Sequence, residues 1–307
     1  MTIIIALGGN VLTPNGKNTY KELLWNIKKV SKVLAKLVKN NKLVIVTGSG
    51  PQIGALILQN ELAKNRVPPM PLDVLDAELE GELGYLLEEQ LSNQLRENKI
   101  KRPIATLVTQ VLVNKKDKAF RNPTKPIGPF YTKKEAEKLR KKGYKIINDA
   151  GRGFRRVVAS PKPVKVIEAE TVKKLVSIGT VVITCGGGGI PVVTSRGKLK
   201  GVEGVIDKDR ASACLGKSVK ASTLLVLTGV DFVYLNYGKK NQKKIKKMSV
   251  KEAKGYLEEG QFGVGSMKPK IEAAVDFLLS GGKRVVITRP RYAVKALDGK
   301  YGTLIVK

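Results

Sequence analysis

Three apolar segments of the sequence each end in a glycine-rich turn. The turns carry Gly8 and Gly9 in IIIALGGN, Gly48 and Gly50 in VIVTGSGPQIG, and Gly186 and Gly187 in VVITCGGGGIPV. Because glycine has no side chain, the backbone amides of such turns can approach an oxyanion closely, and a following helix N-terminus adds a favourable field. One such turn is weak support, since strand-to-helix turns favour glycine anyway. Three together predict a phosphate-binding crevice.

None of these turns fits a common nucleotide motif. The chain lacks GxxxxGK[ST], and no GxGxxG is followed by the expected acidic residue, so neither a Walker-type ATPase nor a dinucleotide dehydrogenase is supported. Phosphate must then be neutralised in another way. Phosphoryl transfer needs positive charge around the moving oxygens more than it needs a strong base, and lysines can supply that charge.

Three lysines stand in a local context that favours such a role. Lys208 lies between Asp207 and Asp209 at a predicted helix start, where a carboxylate can hold its ammonium in place and keep it charged. Lys270, in GSMKPKIEAA, also comes just before a predicted helix. Lys125, in PTKPIGP, is stiffened by the neighbouring prolines. Spacing alone leaves open that each is an ordinary surface lysine.

Other chemistries are excluded by residues that the sequence lacks. There is no histidine, which excludes nucleophiles activated by a histidine base and metal centres with histidine ligands. The two cysteines, Cys185 and Cys214, form no CxxC pair, so neither a disulfide framework nor a zinc site is indicated. Cys185 ends the apolar run TVVITC, where we expect a buried thiol.

Apolar segments alternate with longer amphipathic segments, as in a parallel sheet packed between helices. The predicted strands are 3–7, 43–47, 104–108, 181–185, 224–228 and 285–288, and helices are predicted over 20–39 and 76–96. The glycine turns then fall at the C-terminal ends of strands, where open α/β sheets bind ligands. The sequence therefore predicts an α/β fold with a wide, mainly parallel central sheet.

One stretch interrupts this alternation. Residues 113–164 are rich in proline, glycine and basic residues, as in NPTKPIGPFY and DAGRGFRRVVASPKP. We interpret this stretch as a small protruding lid subdomain inserted within a single domain that spans residues 1–307.

The chain is strongly basic, with 57 Lys and Arg against 26 Asp and Glu and a formal net charge of +31. Clustered cations would favour nucleic acid. Here the lysines are scattered, and the densest run, residues 238–247, has no aromatic residue that could stack on a base, so we interpret it as a solvated loop. We expect no nucleic-acid partner, and a charge that serves either solubility or thermal stability.

The opening segment MTIIIALGGN has no basic residues before its apolar run and no small-residue cleavage site after it, so we interpret it as a strand rather than a signal peptide. Elsewhere no apolar stretch approaches the roughly 20 residues that span a bilayer. We expect a cytoplasmic protein with no membrane partner.

Eight segments spread over nearly the whole chain carry a joint resemblance. They are ALGGN at 6–10, GPQIG at 50–54, PLDVLDAELEGELGY at 71–85, NPTKPIGPFY at 122–131, GRGFRRVVASP at 151–161, GGGGIPVV at 186–193, GVEGVIDKDRASA at 201–213 and GSMKPKIEAA at 265–274. Together they resemble the carbamate kinases of the amino acid kinase superfamily. PTKPIGP and GRGFRRVV resemble the lid that distinguishes this family.

The resemblance implies a three-layer αβα fold, a cytoplasmic homodimer and a role in arginine metabolism. It implies reversible transfer of phosphate between ATP and carbamate, so that ADP and carbamoyl phosphate give ATP. Mg²⁺ would be carried on the nucleotide as the cofactor, and no side chain would form a covalent intermediate, because alignment and charge neutralisation supply the rate.

The resemblance also implies roles for residues. Lys208 and Lys270 would bind the transferring phosphoryl group, with Asp209 orienting them, and Lys125 would reach in from the lid to the carbamoyl end. The phosphate and substrate pockets would be lined by Gly8, Gly9, Asn10, Gly48, Ser49, Gly50, Gly186 and Gly187. The nucleotide would lie near Thr228, Asp231, Tyr234 and Met267.

The chain departs from the family at three positions. Thr47 and Ser49 stand where the family has a histidine and an asparagine beside the substrate phosphate, and Gly229 replaces an aspartate on the nucleotide side. Two alternatives therefore stay open: a kinase of another small carboxylate or oxyacid, and a non-catalytic nucleotide-binding paralogue. The three lysines and Asp209 remain, which favours catalysis.

Overall fold

The computed structural model describes residues 1–13, 19–149, 153–263 and 265–307. Its strands are β1 (Thr2–Leu7), β2 (Lys42–Thr47), β3 (Ile104–Thr106), β4 (Gln110–Val113), β5 (Lys125–Tyr131), β6 (Ile146–Asn148), β7 (Phe154–Val158), β8 (Pro163–Val166), β9 (Val181–Thr184), β10 (Ile190–Ser195), β11 (Lys198–Gly201), β12 (Thr223–Leu227), β13 (Val233–Leu235), β14 (Lys243–Ile245), β15 (Lys247–Ser249), β16 (Arg284–Thr288) and β17 (Thr303–Val306). Its α-helices are α1 (Gly9–Leu12), α2 (Tyr20–Val38), α3 (Gly50–Ala63), α4 (Leu72–Glu97), α5 (Lys133–Lys141), α6 (Ala169–Ser177), α7 (Lys208–Ser218), α8 (Val250–Glu258), α9 (Lys268–Leu279) and α10 (Ala293–Leu297).

Eight strands form the central sheet, in the order β15-β17-β16-β12-β1-β2-β9-β3. From β16 to β3 all neighbouring strands are parallel. At the other edge β17 runs antiparallel to β16, and β15 runs parallel to β17. The predicted wide, mainly parallel sheet is confirmed. Because their directions agree, the C-terminal ends of β1, β2, β9 and β12 meet at one edge.

Helices cover both faces of this sheet, and the apolar pattern of β1 shows why. Successive side chains of a strand point to opposite faces. Ile4 and Ala6 belong to a core shared with α6, α7 and α9, whereas Ile3 and Ile5 belong to a second core shared with α2, α3, α4 and α10. Each face of the sheet therefore buries its own core, which gives the expected three-layer αβα arrangement.

Most of the predicted elements have the expected positions. The helix predicted over 20–39 is α2, and the side chain of Thr19 caps it by accepting a hydrogen bond from the Glu22 amide. The helix predicted over 76–96 begins one turn earlier, at Leu72, after Pro71. The strand predicted over 104–108 ends at Thr106, where the chain turns towards β4.

The interpretation of residues 238–247 as a loop is wrong in part. Lys243–Ile245 form β14, which pairs with β13, and β15 starts at Lys247 on the edge of the central sheet. Buried Ile245 and Met248 anchor the two strands to the core, whereas the surrounding lysines are exposed. The two strands were not predicted because each is only three residues long and consists partly of lysines.

The stretch predicted to form the lid contains a separate antiparallel sheet, in the order β5-β7-β6, with α5 connecting β5 to β6. Residues 150–152 of that stretch lie outside the described residues. This sheet approaches α3 closely, because a Cβ atom added to Gly54 would lie 1.8 Å from the Cα atom of Gly128. The strand β8 begins at the end of that stretch and pairs instead with β4, in a sheet with β10 and β11.

Within the described ranges, none of the helices combines the length and the apolar character that a membrane crossing requires. The longest of them, α4, has 26 residues and carries charged side chains along its length.

Candidate active site

The three glycine turns meet at the C-terminal edge of the sheet. A Cβ atom added to Gly9 would lie 3.2 Å from the carbonyl oxygen of Gly48, and one added to Gly187 would lie 2.6 Å from Oγ of Ser49. A Cβ atom on Gly48 would lie 2.8 Å from Cδ of Lys208. We call the space bounded by Gly9, Gly48, Gly187 and Lys208 the glycine crevice. Its walls have no room for larger residues at these positions.

Some of the glycine amides predicted to face phosphate instead donate hydrogen bonds to acceptors within the protein. The Gly8 amide donates to the Leu227 carbonyl at 2.9 Å, and the Gly48 amide donates to the Leu7 carbonyl at 2.8 Å. The Gly186 amide donates to Oε1 of Glu80 at 2.8 Å. These three glycines therefore shape the turns.

The start of α3 keeps its donors for a ligand. The helix begins at Gly50, directly after Ser49, and Pro51 in its first turn has no N–H group. The first amides of a helix have no acceptor within it, so the donors on this side are those of Gly50 and Gln52. The same helix end carries a partial positive charge. An oxyanion in the glycine crevice would therefore be favoured on this side.

The first turn of α7 places two of the predicted catalytic residues in the crevice. Asp207 is the N-cap, and its Oδ1 accepts the Asp209 amide at 3.0 Å. Nζ of Lys208 lies 2.5 Å from Oδ1 of Asp209. Both side chains are buried, at 7% and 1% exposure, so the ammonium is held in one position by a carboxylate shielded from water.

Lys270 reaches the same carboxylate from α9. Its Nζ lies 3.1 Å from Oδ2 of Asp209 and donates to the Ser266 carbonyl at 3.1 Å. The two helices are tied together nearby, because Arg210 of α7 pairs with Glu272 of α9 at 2.6 Å. One aspartate thus orients two lysines that stand 62 positions apart in the sequence.

Lys125 arrives from β5. Its Nζ lies 2.6 Å from Oδ2 of Asp207, the residue that caps α7. The structure therefore brings together the three lysines and the aspartate singled out from the sequence. Asp207 itself, noticed there only as a neighbour of Lys208, joins the lysine of β5 to the first turn of α7. Its signal in the sequence is an aspartate at a helix N-cap followed at once by lysine.

The charges in this cluster shift one another. Burial alone would raise the pKa of Asp207, but Lys125, Lys208 and Lys270 outweigh burial and hold that pKa well below its usual range. Burial lowers the pKa of Lys208, and Asp209 opposes this. Burial also acts against the charge on Lys270, yet Asp209 and Asp207 prevail and its pKa is raised. The cluster contains three lysines and two aspartates, an excess of basic groups that suits an anion.

Three buried side chains beside the crevice have a polar atom with no hydrogen-bond partner in the described parts of the chain. They are Thr47 (Oγ1), Ser49 (Oγ) and Gln52 (Oε1). Asn10, by contrast, lies exposed in α1. Buried polar atoms without partners commonly mark the position of a ligand or an ordered water. Gln52 was missed in the sequence, because nothing there shows which side of α3 faces the turn.

The residues predicted to bind the nucleotide are spread more widely. Thr228 lies next to Gly8, since a Cβ atom on that glycine would be 3.9 Å from its Cα atom. Met267 precedes the first turn of α9, close to Lys270. Asp231 accepts a hydrogen bond from the Tyr301 hydroxyl at 3.1 Å and lies 3.0 Å from Nε of Arg289.

Tyr234 lies in β13, outside the glycine crevice, with its ring 5.9 Å from that of Tyr237. Of these four residues, Met267 lies next to Lys270, because its carbonyl accepts the Lys270 amide at 3.0 Å, and Thr228 lies beside the turn at Gly8.

Cys185 is buried as predicted, with 0% exposure. Burial, and then the charge of Glu80, raises the pKa of its thiol, so it stays protonated at neutral pH. In the ranges that the structure describes, no group of three or more His, Cys, Asp and Glu side chains could hold a metal ion.

Comparison with known proteins agrees with this geometry. A sequence profile of the amino acid kinase family matches residues 1–289. The chain belongs to the amino acid kinase family. Two curated members are similar over their full lengths: the carbamate kinase of Pyrococcus horikoshii is 44% identical over 308 residues, covering 99% of this chain and 98% of its own, and that of Clostridium perfringens is 47% identical over 314 residues, covering 100% of both.

Solved structures of this family have the same fold. Carbamate kinase from Giardia lamblia bound to citric acid superposes with a TM-score of 0.94 at 39% identity, covering 100% of this chain and 98% of that one. The same kinase bound to AMP-PNP gives a TM-score of 0.91 at 39% identity, with the same coverage. Among amino acid kinases, this chain therefore groups with the carbamate kinases.

Proposed function

We propose that this chain transfers phosphate reversibly between ATP and carbamate, so that ADP and carbamoyl phosphate give ATP. The observation that carries the proposal is the ion-pair cluster of Lys208, Asp209 and Lys270 beside the glycine crevice. It is supported by the similarity to carbamate kinases over the whole chain. Full-length similarity also supports ATP as the nucleotide, since a similar kinase binds AMP-PNP.

In this mechanism the lysines neutralise the phosphoryl group as it moves. Asp209 holds the ammonium groups of Lys208 and Lys270 in fixed positions. Because the two lysines share this one carboxylate, each still has an ammonium hydrogen that can be donated to a phosphoryl oxygen. Such preorganised charge stabilises a loose transition state without a strong base. The protonated Cys185 thiol and the lack of histidine support direct transfer, with no covalent intermediate.

Magnesium would enter with the nucleotide. Carried by ATP or ADP, Mg²⁺ would supply neutralisation of the phosphate charge. On the protein side, Thr228 and Met267 would lie against the nucleotide, and Asp231 and Tyr234 further along the same edge.

Residues 113–164 would act as a lid over the acyl end of the substrate. Lys125 connects β5 to Asp207 at the foot of α7, so movement of the β5-β7-β6 sheet would bring or remove one positive charge. Closure would exclude water from the crevice and protect carbamate, which is labile.

A second substrate class is favoured by one observation. Thr47 and Ser49 bury hydroxyl oxygens that have no partner in the described part of the chain, at positions where the family has larger side chains. A small carboxylate or oxyacid other than carbamate could use them. This alternative keeps the lysine mechanism and changes only the acyl group.

We further propose a cytoplasmic homodimer. Beside edge strand β3, the outer face of α4 forms an open groove of about 490 Å³ lined by Gly81, Tyr85, Glu88, Glu89, Ser92, Asn93, Arg96 and Thr106. Tyr85 is 63% exposed. Because this face carries both acidic and basic side chains, a second copy related by a two-fold axis could match it. Light scattering of the wild-type protein should give twice the mass of one chain. The Tyr85→Asp variant should give the mass of a single chain.

The test of function is ATP formation from MgADP and acyl phosphates. Carbamoyl phosphate should give the highest kcat/KM, ahead of acetyl phosphate, and a chiral labelled phosphoryl group should be transferred with inversion, as a single displacement requires. Preference for another acyl phosphate would move the assignment to the second class. Retention would indicate a covalent intermediate, and nucleotide binding without turnover would indicate a non-catalytic paralogue.

A further inference from the structure

A buried carboxylate on α4 lies directly behind the turn of residues 185–189. Glu80 is 2% exposed. Its Oε1 accepts the Gly186 amide at 2.8 Å and the Thr109 hydroxyl, and its Oε2 accepts the Thr109 amide at 2.9 Å. The same hydroxyl accepts the Cys185 amide at 2.7 Å. One side chain thus fixes two consecutive amides of the turn, one directly and one through Thr109.

This turn has a backbone that needs external support. Cys185 has a φ of 49°, in the left-handed region that non-glycine residues rarely adopt, and Gly187, Gly188 and Gly189 have φ values of 70°, 113° and 84°. Such conformations persist only where the surroundings hold them. Glu80 holds the turn from behind, while Gly187 faces Ser49 in the glycine crevice.

We propose that Glu80 is a positioning residue for phosphoryl transfer: its carboxylate holds the turn 185–189 in the shape that lines the crevice, and protonation weakens this hold. The inference rests on the proposed function. A carboxylate accepts at both oxygens, whereas a protonated carboxyl becomes a donor at one of them. Since the Gly186 amide, the Thr109 amide and the Thr109 hydroxyl all donate to Glu80, protonation removes one of the acceptor positions that they share and weakens these hydrogen bonds.

The proton on Glu80 exchanges in an accessible pH range. Burial raises its pKa to about 7, against the hydrogen bonds from Thr109 and Gly186 that lower it. The charged and titratable groups that face it are Glu168 at the start of α6, which also raises its pKa, Cys185, and Asp76 one turn earlier on α4. Burial first, and then Glu80, raises the pKa of Asp76 well above its usual range.

The experiment compares kcat/KM for ATP formation in the intact protein and in Glu80→Gln across neutral pH. A glutamine amide has one acceptor and one donor side, so it mimics the protonated carboxyl at every pH. The ratio of wild type to variant should be near one well below pH 7 and should rise through about pH 7. It should reach about tenfold, the change expected for one lost hydrogen bond to a charged group. Titration of ADP and of the acyl phosphate cancels in this ratio.

Glu78→Gln is the matched control, because it makes the same change at an exposed carboxylate on the same helix. Its ratio to wild type should stay constant with pH. A constant ratio for Glu80→Gln, or a titrating ratio for Glu78→Gln, would overturn the proposal. Absence of activity in wild type would instead count against the proposed function.

Thr109→Val provides a second variant if Glu80→Gln does not fold. It removes a hydroxyl whose hydrogen bond lowers the pKa of Glu80, so the midpoint of its pH profile should move to higher pH, whereas Thr109→Ser should keep the wild-type midpoint. A Thr109→Val midpoint that stays in place or moves to lower pH would contradict the role of Glu80.

Discussion

At the scale of single residues, the site depends on one carboxylate serving two ammonium groups. Asp209 is 1% exposed and contacts both Lys208 and Lys270. An isolated buried lysine would tend to lose its proton, since burial disfavours the charged form. The shared aspartate opposes this effect at both lysines: together with Asp207 it raises the pKa of Lys270, whereas burial still lowers the pKa of Lys208.

Asp209→Asn should move the alkaline limb of activity to lower pH. The aspartate raises the pKa of both lysines, so without it they lose their protons at lower pH, and activity that needs the ammonium forms falls earlier. At neutral pH kcat should also fall by about 100-fold, the scale of losing one preorganised charge contact. The measurement is a pH profile of kcat. An alkaline limb in the same place as wild type would show that Asp209 does not control these charges.

Ser49→Ala should raise KM for the acyl phosphate with little loss of stability. The Ser49 hydroxyl has no partner in the described ranges, so its removal breaks no bond within the protein, while a lost substrate contact costs about 0.5 to 1.5 kcal/mol, or up to about tenfold in KM. Ser31→Ala is the matched control, because the buried Ser31 hydroxyl on α2 likewise has no hydrogen-bond partner among the residues that the structure describes. Equal KM values for the two variants would place Ser49 outside the substrate site.

The lysines could be chosen from the sequence because their neighbours distinguish them. Lys208 has an aspartate on each side: Asp207 is the helix N-cap, and Asp209 is the counterion of the lysine. Glu80 gave no such sign, because it is one of several glutamates in α4 and only tertiary packing decides which of them meets the turn after β9.

At the scale of elements, the central strands of the sheet could be predicted from the sequence, whereas the short strands at sheet edges could not. Buried parallel strands read as continuous apolar runs, so β1, β2, β9, β12 and β16 were all visible in the sequence. Short edge strands such as β14 hold one buried residue among lysines and give no run. Which strands become neighbours, and hence which glycine turns meet, also requires the fold.

Gly54→Ala should separate β5 from α3. A Cβ atom at this position would meet the backbone of Gly128 at 1.8 Å, so the β5-β7-β6 sheet and Lys125 must move. We expect a loss of stability of about 1 to 3 kcal/mol, as for other overpacked sites, and a fall in kcat/KM larger than the stability change explains. Calorimetry and steady-state kinetics together measure this.

Gly255→Ala, in helix α8, is the control, because no described residue outside that helix has an atom within 4 Å of a Cβ atom added there. It should leave kcat/KM unchanged. Normal kinetics in Gly54→Ala would show that the position of β5 does not matter for turnover.

At the scale of the whole molecule, composition and fold address different questions. The net charge of +31 describes solution behaviour, whereas membership of the amino acid kinase family rests on motifs and on similarity over the full chain. The excess positive charge should repel itself in the folded state.

Chloride salt should therefore raise the melting temperature. Screening of like charges should shift Tm by roughly 2 to 4 °C, the change that about 1 kcal/mol produces in a domain of this order of size. Chloride is preferred to sulfate or phosphate because those oxyanions could occupy the glycine crevice. A Tm that stays constant or falls with chloride would show that charge repulsion is not significant.

The expected absence of a nucleic-acid partner predicts that added DNA leaves the rate of ATP formation unchanged at moderate salt.

The most direct test of the account is ATP formation from carbamoyl phosphate and MgADP by wild type, Lys208→Met and Lys217→Met. The two variants remove one lysine each from α7, the first buried beside the crevice and the second exposed near the end of the helix. We predict activity in wild type and Lys217→Met and a loss of about 100-fold or more in Lys208→Met. Equal activity in all three, or no ATP from wild type, would contradict phosphoryl transfer by this lysine cluster.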